Sequence, residues 1–333
     1  PAGPPAPHAV KVLVTGATSL VGRVTVRRLV DRGDEVTTLQ RGTTDLPGRA
    51  LRGSLTDPDA VERACAGQDA VIHLAARVGA AGPWSEFERV NVTGTANLLA
   101  AARRAGAGAF VHVSSPSVAH AGRSLVGAEA DPANPATARG AYARSKALGE
   151  RAALAASSPA MPVVVLRPHL IWGPGDTQLV GRVVDRARRG RLALVGPGTA
   201  LVDTLYVDNA ADALVAALDQ APRLGGRVFV LSNGQPRTAA ELTARVLAAA
   251  GLTVTPRHVP RWLAVAGGSL VEQVWARTGR TDDPPMTRFL AEQLATAHWF
   301  RQAPAQAALH WRPAVGLDEG FARLADWFRS GRV

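Results

Sequence analysis

The chain has little of what disulfide-rich, zinc-binding and membrane-spanning proteins need. Cys65 is the only cysteine among 333 residues, which excludes a disulfide framework and a cysteine-based zinc site and makes a reducing cytoplasm the expected location. No spacing of histidines and carboxylates is typical of a metal site, so we predict none. No apolar run reaches 18 residues, so we predict no transmembrane segment. The Pro-rich start, Pro1 to Ala9, lacks an apolar core and indicates a flexible lead rather than a signal peptide.

Positive charge is in excess, and almost all of it is arginine. The net charge is +11, but the arginines are spread along the chain without basic blocks or interleaved aromatic residues, so we predict a solvated surface and no nucleic-acid binding. An anionic cofactor and an anionic substrate would both suit this charge. Lysine occurs only at Lys11 and Lys146. A lysine in such a composition indicates a need for an amine whose pKa can shift, which arginine does not provide.

Short β-branched runs alternate with helical patterns along the chain. This alternation predicts an α/β fold, a doubly wound parallel sheet of the Rossmann type that opens with a βαβ unit. The predicted strands are 10–15, 35–39, 70–74, 109–113, 162–166 and 227–231, and the main predicted helices are 22–32, 87–104, 142–156 and 210–220.

The rhythm changes after Trp172. Gly-Pro-Gly triplets bracket an arginine-rich helical insert, and from Gln235 onward helices and Pro-containing loops replace the alternation. We therefore predict a dinucleotide-binding domain and a smaller, mostly helical, substrate-binding lobe. The predicted domain comprises residues 10–174 and 201–234, and the predicted lobe comprises residues 175–200 and 235–333.

A glycine-containing loop follows the first predicted strand and precedes a helix. It runs Thr15-Gly-Ala-Thr-Ser-Leu-Val-Gly22, and this context predicts a pyrophosphate site at a helix N-terminus. Gly16 permits a tight turn and Gly22 permits close helix packing, whereas Ser19 stands where a middle glycine is usual. A small hydroxyl there still fits and can donate. An ordinary turn between strand and helix is the alternative.

The end of the second predicted strand bears on the choice of cofactor. A protein that binds NAD places Asp or Glu there, to hold the ribose 2′-hydroxyl, whereas this chain has Gln40-Arg41. A guanidinium can grip a 2′-phosphate through paired hydrogen bonds. We therefore predict NADP(H) rather than NAD(H), with a solvated loop arginine as the alternative.

Tyr142 and Lys146 are spaced for acid/base chemistry. Four residues apart at the start of a predicted helix, they share one helix face. An ammonium beside a phenol favours the phenolate, so we expect Tyr142 to exchange its proton at a pH well below the roughly 10 of a free tyrosine. A surface tyrosine beside a solvated lysine is the alternative.

Together with further motifs, this pair carries a family resemblance that extends from Val12 to Trp327. The motifs are Leu74-Ala-Ala76, Asn91-Val-Thr-Gly-Thr95, Phe110-Val-His-Val-Ser-Ser-Pro-Ser-Val118, Arg167-Pro-His169 and Tyr206-Val-Asp208. The chain resembles the extended short-chain dehydrogenase/reductase family. The resemblance implies a catalytic trio of Ser115, Tyr142 and Lys146, with Ser114 and Ser117 as alternatives for the serine. It implies cofactor contacts by Gly16, Thr18, Ser19, Leu20, Val21, Gly22, Arg41, Ser54, Leu55, Ala75, Ala76, Asn91, Ser114, Tyr142, Lys146, Pro168 and His169.

More narrowly, the chain is similar to a branch of the family close to the 3β-hydroxysteroid dehydrogenases. Segments such as Leu170-Ile-Trp-Gly-Pro-Gly-Asp176 and Ser232-Asn-Gly234 carry this likeness. It implies NADPH-dependent reduction of the 3-keto group of a 2-alkyl-3-oxoalkanoic acid, as in bacterial long-chain olefin biosynthesis. Departures stand at Ser54, where the family often carries Asp, and at His169.

The expected substrate is therefore a hydrophobic keto acid. Arg77, just past the end of a strand, is the candidate for its carboxylate, although a solvated surface arginine is equally compatible with the sequence. Ser115, Ser117 and Trp172 complete the predicted substrate site. C-terminal aromatic residues would line an alkyl channel or form the core of the lobe. The apolar lobe could also meet a membrane surface or partner enzymes.

Several alternatives share parts of this pattern. An NAD-dependent hydroxysteroid dehydrogenase and a sugar-nucleotide epimerase or dehydratase have the same fold, and a non-catalytic dinucleotide sensor would bind cofactor without needing the trio. The resemblance also implies a homodimer formed through the predicted helices 87–104 and 142–156.

Overall fold

The computed structural model describes residues 9–79, 82–119, 122–278, 284 and 286–331, and the predicted lead up to residue 8 lies outside them. The strands are β1 Lys11–Thr15, β2 Glu35–Gln40, β3 Arg49–Arg52, β4 Ala70–His73, β5 Ala109–Val113, β6 Leu125–Ala128, β7 Val163–Pro168, β8 Ile171–Trp172, β9 Ala193–Val195, β10 Leu201–Val202, β11 Leu205–Tyr206, β12 Val228–Leu231, β13 Arg237–Thr238, β14 Arg257–Val259 and β15 His298–Phe300. The α-helices are α1 Leu20–Asp31, α2 Pro58–Cys65, α3 Trp84–Phe87, α4 Gly94–Arg104, α5 Gly140–Ala155, α6 Val180–Arg188, α7 Val207–Leu224, α8 Ala239–Ala249, α9 Arg261–Thr278, α10 Arg288–Leu294, α11 Ala303–Leu309 and α12 Leu317–Arg329.

Seven strands form one parallel sheet in the order β12-β7-β5-β4-β1-β2-β3. The central strands are buried on both faces, as their continuous runs of valine, leucine and isoleucine require. Apolar clusters cover both faces. The predicted doubly wound α/β sheet is confirmed, and the strand order reverses beside β1, where such sheets bind ligands.

Two elements of the large sheet layer were missed by the sequence pattern. β3 has the sequence Arg-Ala-Leu-Arg, which lacks β-branched residues because it is an exposed edge strand. Helix α2 is short, but it has clear end signals, with Asp57 as N-cap and Pro58 in the first turn. The six predicted strands all exist, 109–113 matches β5 at both ends, and no end of the others differs by more than two residues.

The predicted helix 87–104 is three consecutive segments. A π-helical turn, Glu88–Thr93, separates α3 from α4. A π turn inserts an extra residue into a helix and often marks a functional site. It lies against α5, where a Cβ on Gly149 would come within 2.5 Å of the Asn91 backbone oxygen.

The remaining strands are short and lie outside the seven-stranded sheet, and two of them, β8 and β11, pair with each other. β13, β10, β15 and β6 form a four-stranded sheet, and β14 pairs with β9. Residues 201–234 contribute to both the large and the small sheet, because β10 joins the small sheet whereas β12 is an edge of the large one. Helices α11 and α12 return to the core of the large sheet through residues such as Leu309 and Phe321. The predicted boundary between domain and lobe stays a proposal.

Candidate active site

The loop between β1 and α1 is shaped by two glycines. Gly16 has a φ of +72°, and a Cβ on it would lie 2.6 Å from the Ala75 nitrogen. A Cβ on Gly22 would collide with the Gly16 carbonyl oxygen. Ser19 is the N-cap of α1, because its hydroxyl accepts from the Gly22 nitrogen at 3.1 Å and donates to the Gly16 oxygen at 2.8 Å. The serine that replaces the usual glycine thus holds the loop, while the helix N-terminus still faces the adjoining cleft.

This cleft has a volume of about 440 Å³ and runs along the carboxyl ends of β1, β2 and β4. The predicted cofactor contacts that line it are Gly16, Thr18, Ser19, Arg41, Ser54, Leu55, Ala75 and Ala76, and Arg77, predicted for the substrate carboxylate, lines it as well. Leu39, Gln40, Gly53, Thr56, Val78, Arg89 and Val90 also line it but were not among the predicted contacts. The short β3, missed in the sequence, is what brings the segment 53–56 there.

Gln40 and Arg41 carry the polar groups at the β2 end of the cleft. The Gln40 side chain is buried, and neither its amide nitrogen nor its oxygen has a partner among the described residues. Such orphaned buried atoms indicate a binding partner that completes them. Arg41 is exposed and makes no ion pair with a described residue. Unpaired donors here, together with the glycine turn, fit a dinucleotide with its pyrophosphate at α1.

Asn91, in the π turn, joins the loop after β4 to α5. Its amide oxygen accepts from the Arg77 nitrogen at 2.7 Å, and its Nδ2 donates to the Arg77 oxygen at 2.9 Å and to Ser145 Oγ at 2.9 Å. The Ser145 hydroxyl in turn donates to the Tyr142 carbonyl at 2.8 Å. Asn91 therefore positions the first turn of α5, which carries Tyr142.

Ser115 and Tyr142 come together at the end of β5. The Tyr142 phenol is hydrogen-bonded to the Ser115 side chain. The Ser115 Oγ also accepts from the Ser117 hydroxyl at 2.9 Å and from the Ser117 nitrogen at 3.2 Å. Ser117 thus supports Ser115, while the Ser114 Oγ is buried without a partner among the described residues. Of the three serines, the geometry favours Ser115 as the partner of the tyrosine.

Lys146 is buried, and its Nζ donates to the Val113 carbonyl at 2.6 Å. Burial lowers the pKa of Lys146 to about 8, although the Glu150 carboxylate opposes this shift. The expectation that the ammonium lowers the pKa of Tyr142 is wrong for this structure. Burial raises the pKa of Tyr142, and only its hydrogen bond to Ser115 opposes the rise.

Two buried histidines lie between the glycine loop and Lys146, and sequence reasoning gave neither a role. His73 contacts Thr15 Oγ1 at 2.7 Å and Thr95 Oγ1 at 3.0 Å. Burial lowers its pKa to about 3, and the Lys146 charge acts in the same direction. His112, opposite His73 on β5, has no partner for either ring nitrogen among the described residues. The sequence signal that could have indicated a role for them is the presence of a histidine in each of two otherwise apolar strands.

His169 and Trp172 follow β7 and line an apolar cavity of about 190 Å³. His169 Nδ1 lies 2.5 Å from the Asp203 carbonyl. Trp172 is buried, stacks on Phe321 and donates from its indole nitrogen to Thr204 Oγ1 at 2.9 Å. Helices α6, α8, α10 and α12 supply the other walls, including Val183, Thr243, Leu290 and Phe321.

This cavity opens at the same sheet edge as Ser115. The Ser114 nitrogen donates to the Leu166 oxygen at 2.7 Å, so the chain leaves β5 alongside the end of β7, where Pro168 and His169 follow. The cavity therefore lies toward the carboxyl ends of the strands, where open α/β sheets bind ligands, and Ser115 follows the end of β5 on the same side.

Other predicted residues are placed differently. Arg77 lines the cofactor cleft, its Nε donates to Glu86 Oε2 at 3.2 Å, and its guanidinium lies over the Phe87 ring. Leu20 and Val21 lie in the first turn of α1 outside the cleft lining, and Val21 is buried. Ser54 bonds to Thr56 Oγ1 at 2.8 Å. Within the described ranges, no cluster of histidines, cysteines and carboxylates could hold a metal ion.

Comparisons with known proteins agree with this geometry. The profile of the NAD dependent epimerase/dehydratase family matches residues 12–232. The chain is 41% identical over 324 residues to the 2-alkyl-3-oxoalkanoate reductase of Stenotrophomonas maltophilia, covering 94% of this chain and 98% of that protein. It is 36% identical over 326 residues to the reductase of the same name from Shewanella oneidensis, covering 93% and 84% of the two proteins.

A more distant relative and a solved structure extend the comparison. A 3 beta-hydroxysteroid dehydrogenase/Delta 5-->4-isomerase of Mycobacterium tuberculosis is 31% identical over 348 residues, covering 96% of this chain and 90% of that one. A structure of MoeE5 in complex with UDP-glucose and NAD is 25% identical with a TM-score of 0.75, covering 97% of this chain and 100% of that one. The sheet order, the glycine loop and these matches lead to one conclusion. The chain belongs to the NAD dependent epimerase/dehydratase family, the extended short-chain dehydrogenases/reductases.

Proposed function

We propose that the protein reduces the 3-keto group of a 2-alkyl-3-oxoalkanoic acid to the 3-hydroxy acid, using NADPH. The observation that carries the substrate class is the 41% identity, over nearly the whole of both chains, to a 2-alkyl-3-oxoalkanoate reductase. The apolar cavity behind the end of β7, on the side of the sheet where Ser115 follows β5, supports it, because this cavity suits an alkyl chain better than a sugar nucleotide.

The cofactor-binding residues divide along the cleft. The α1 N-terminus with Gly16, Thr18 and Ser19 would hold the pyrophosphate, and Gln40 and Arg41 would hold the adenosine ribose and its 2′-phosphate. When bound, NADPH supplies the hydride that reduces the keto carbon. We place its nicotinamide end near Ser114, Pro168 and His169, with Lys146 toward the nicotinamide ribose.

The protein's own chemistry is the handling of one proton. Because burial raises the pKa of Tyr142, its phenol is protonated at neutral pH and can donate to the carbonyl oxygen as negative charge develops there. Ser115 would hydrogen-bond the same oxygen, and Ser117 would hold Ser115 in place. Lys146 keeps only its proposed place at the nicotinamide ribose, because only the hydrogen bond to Ser115 opposes the rise in the pKa of Tyr142.

Two further groups would bind the rest of the substrate. The cavity between Trp172 and α8 would receive an alkyl chain. Arg77 remains our candidate for the carboxylate, although Glu86 already pairs with its guanidinium and would have to release it. If the Michaelis constant for keto acids does not rise in Arg77→Ala, the carboxylate is bound elsewhere.

Replacing Tyr142 by phenylalanine tests the proposed reaction. Tyr142→Phe removes the proton donor without removing the ring, so we expect an unchanged fold and unchanged NADPH affinity, with kcat reduced by about 10²- to 10⁴-fold. Circular dichroism, NADPH fluorescence titration and single-turnover kinetics measure the three quantities. A variant that reduces the keto acid at a near-normal rate removes the proposed role of Tyr142.

A substrate panel separates this function from its alternatives. The wild-type enzyme is assayed with 2-alkyl-3-oxo acids of increasing chain length and with 3-hydroxysteroids, each with NADP(H) and with NAD(H). We expect the highest kcat/KM for a long-chain keto acid with NADPH. A preference for a steroid with NAD would instead support the hydroxysteroid dehydrogenase alternative.

The oligomeric state, the location and the partners of the protein are also proposals. No helix within the described ranges is both long and apolar enough to cross a membrane. We propose a homodimer that forms through α4 and α5, which sedimentation velocity tests. A cytoplasmic location and an association with partner enzymes of olefin biosynthesis are predictions that cell fractionation and co-purification would examine.

A further inference from the structure

Helix α9 is apolar on two opposite sides. One side is buried against α10, where Ala264 belongs to an apolar cluster with Ala291 and where a Cβ on Gly268 would come within 2.6 Å of the Thr287 backbone. The opposite side faces solvent, and 72% of Trp262 and 63% of Leu270 are exposed. A helix that is apolar all round normally has a second surface that covers it.

The exposed side forms a continuous face, which we call the α9 face. At 100° per residue, its members fall within one arc opposite Gly268. They are Trp262, Leu263, Ala266, Leu270, Gln273, Val274 and Arg277. No carboxylate lies among them, because Glu272 is directed toward α10, where it accepts from the Arg288 nitrogen at 3.0 Å.

Basic residues lie on the α9 face and near the start of its helix. Arg277 is a member of the face, Arg261 begins the helix on the side of Gly268, and Arg257 is exposed on β14, which precedes the helix. None of the three pairs with a carboxylate of the part of the chain that the structure describes. Tryptophan and leucine on one face, with an unpaired arginine among them and two more near the helix start, is typical of a helix that lies in the interface of an anionic membrane.

We propose that the α9 face docks the protein on the surface of an anionic lipid bilayer. Charge complementarity selects this occupant, because the chain carries a net charge of +11 and the α9 face contains Arg277 but no acidic residue. Helix α9 packs against α10, and Leu290, Gln293 and Leu294 of α10 form one wall of the apolar cavity. The bilayer would then lie close to a cavity for apolar chains.

Vesicle sedimentation of the full chain tests the proposal without substrate or cofactor. We expect the wild-type protein to pellet with vesicles of phosphatidylcholine that contain roughly one quarter phosphatidylglycerol, and far less with phosphatidylcholine alone. Trp262→Glu with Leu270→Glu should weaken this binding by about tenfold or more, because two apolar anchors are replaced by acids. Val126→Glu is the matched control, because Val126 is also an exposed apolar residue, 62% accessible, but lies on β6.

The outcomes separate the possible occupants. Binding to anionic vesicles that is lost in the double variant but kept in Val126→Glu, with unchanged thermal unfolding in both, supports the proposal. Equal binding to neutral vesicles, or none to either, overturns it. If the double variant changes the oligomeric state in sedimentation velocity and the wild-type protein does not pellet, the α9 face is an interface between copies of this chain. Reduction of a water-soluble short-chain keto acid should be the same in all variants, which separates this result from the proposed function.

Discussion

Lys146 is the residue whose chemistry depends most on its surroundings. In the sequence, the four-residue spacing from Tyr142 indicates an acid/base pair. In the structure, the ammonium is buried and donates to a carbonyl of β5. Burial disfavours the charged form and lowers the pKa to about 8. The same burial raises the pKa of the Tyr142 phenol. Burial therefore favours the neutral form of both side chains, the protonated phenol and the deprotonated amine.

This shift predicts how stability depends on pH. Between about 8 and 10.5 the folded protein has released the Lys146 proton, whereas the unfolded chain still binds it. The free energy of unfolding of the wild-type protein, relative to Lys146→Met, should therefore rise across that window and be constant below it. Urea unfolding of both proteins at several pH values measures the difference. A difference that is independent of pH would show that the ammonium is not destabilised by burial.

The position of Arg41 predicts a preference for NADPH over NADH. It is exposed at the end of β2 and unpaired among the described residues, so its guanidinium is available to a 2′-phosphate. Arg41→Ala should lower kcat/KM for NADPH by about tenfold or more and leave that for NADH nearly unchanged. Arg27→Ala, an exposed arginine on α1, is the control for general loss of positive charge. A parallel loss with both cofactors would mean that Arg41 does not read the 2′-phosphate.

Among the elements, α5 carries Tyr142 and Lys146, and its position is set by close packing. Its glycine at 149 allows it to approach the π turn that contains Asn91, and Asn91 in turn bonds to Ser145 one residue before Lys146. The helix was predicted from its pattern, but the π turn was not. An inserted residue leaves no periodic signal, because it is stabilised by the neighbouring helix rather than by local sequence.

A pair of glycine substitutions tests this packing. Gly149→Ala places a methyl group 2.5 Å from the Asn91 oxygen, so we expect a loss of about 1–3 kcal/mol in the free energy of unfolding together with a lower kcat. Gly267→Ala, also inside a helix, meets nothing within 4 Å and should be neutral or stabilise by up to about 1 kcal/mol. Thermal or urea unfolding compares them. Equal effects at both sites would show that α5 tolerates a larger separation from the π turn.

At the scale of the whole molecule, the apolar cavity is the feature that no local pattern predicts. Its walls come from α6, α8, α10 and α12, which are far apart in the chain. The sequence suggested either an alkyl channel or a lobe core for the C-terminal aromatic residues. None of the aromatic residues behind that expectation, Trp262, Trp275, Phe289, Trp299 and Phe300, is among the described residues that line the cavity. Phe321 of α12 lines it instead and stacks on Trp172.

Filling the cavity should shorten the preferred substrate. Val183 is a lining residue on α6, and Val183→Phe would occupy part of the roughly 190 Å³ available. We expect kcat/KM for long-chain keto acids to fall by about tenfold, because each excluded methylene loses about 0.8 kcal/mol of burial, while short-chain substrates are unaffected. Steady-state assays over a chain-length series measure this. An unchanged chain-length profile would place the alkyl chain outside this cavity.

The sequence by itself determined the alternation of strands and helices, the glycine turn before α1, and the chemical types of the residues at the sheet edge. These are local properties, encoded in hydrophobic periodicity and in a few backbone conformations. Only the tertiary structure decided that Ser115 rather than Ser114 or Ser117 meets Tyr142, that the pKa of Tyr142 is raised, and that α9 has an uncovered apolar face. Those outcomes depend on burial and on contacts between segments distant in the chain, which no single stretch of residues specifies.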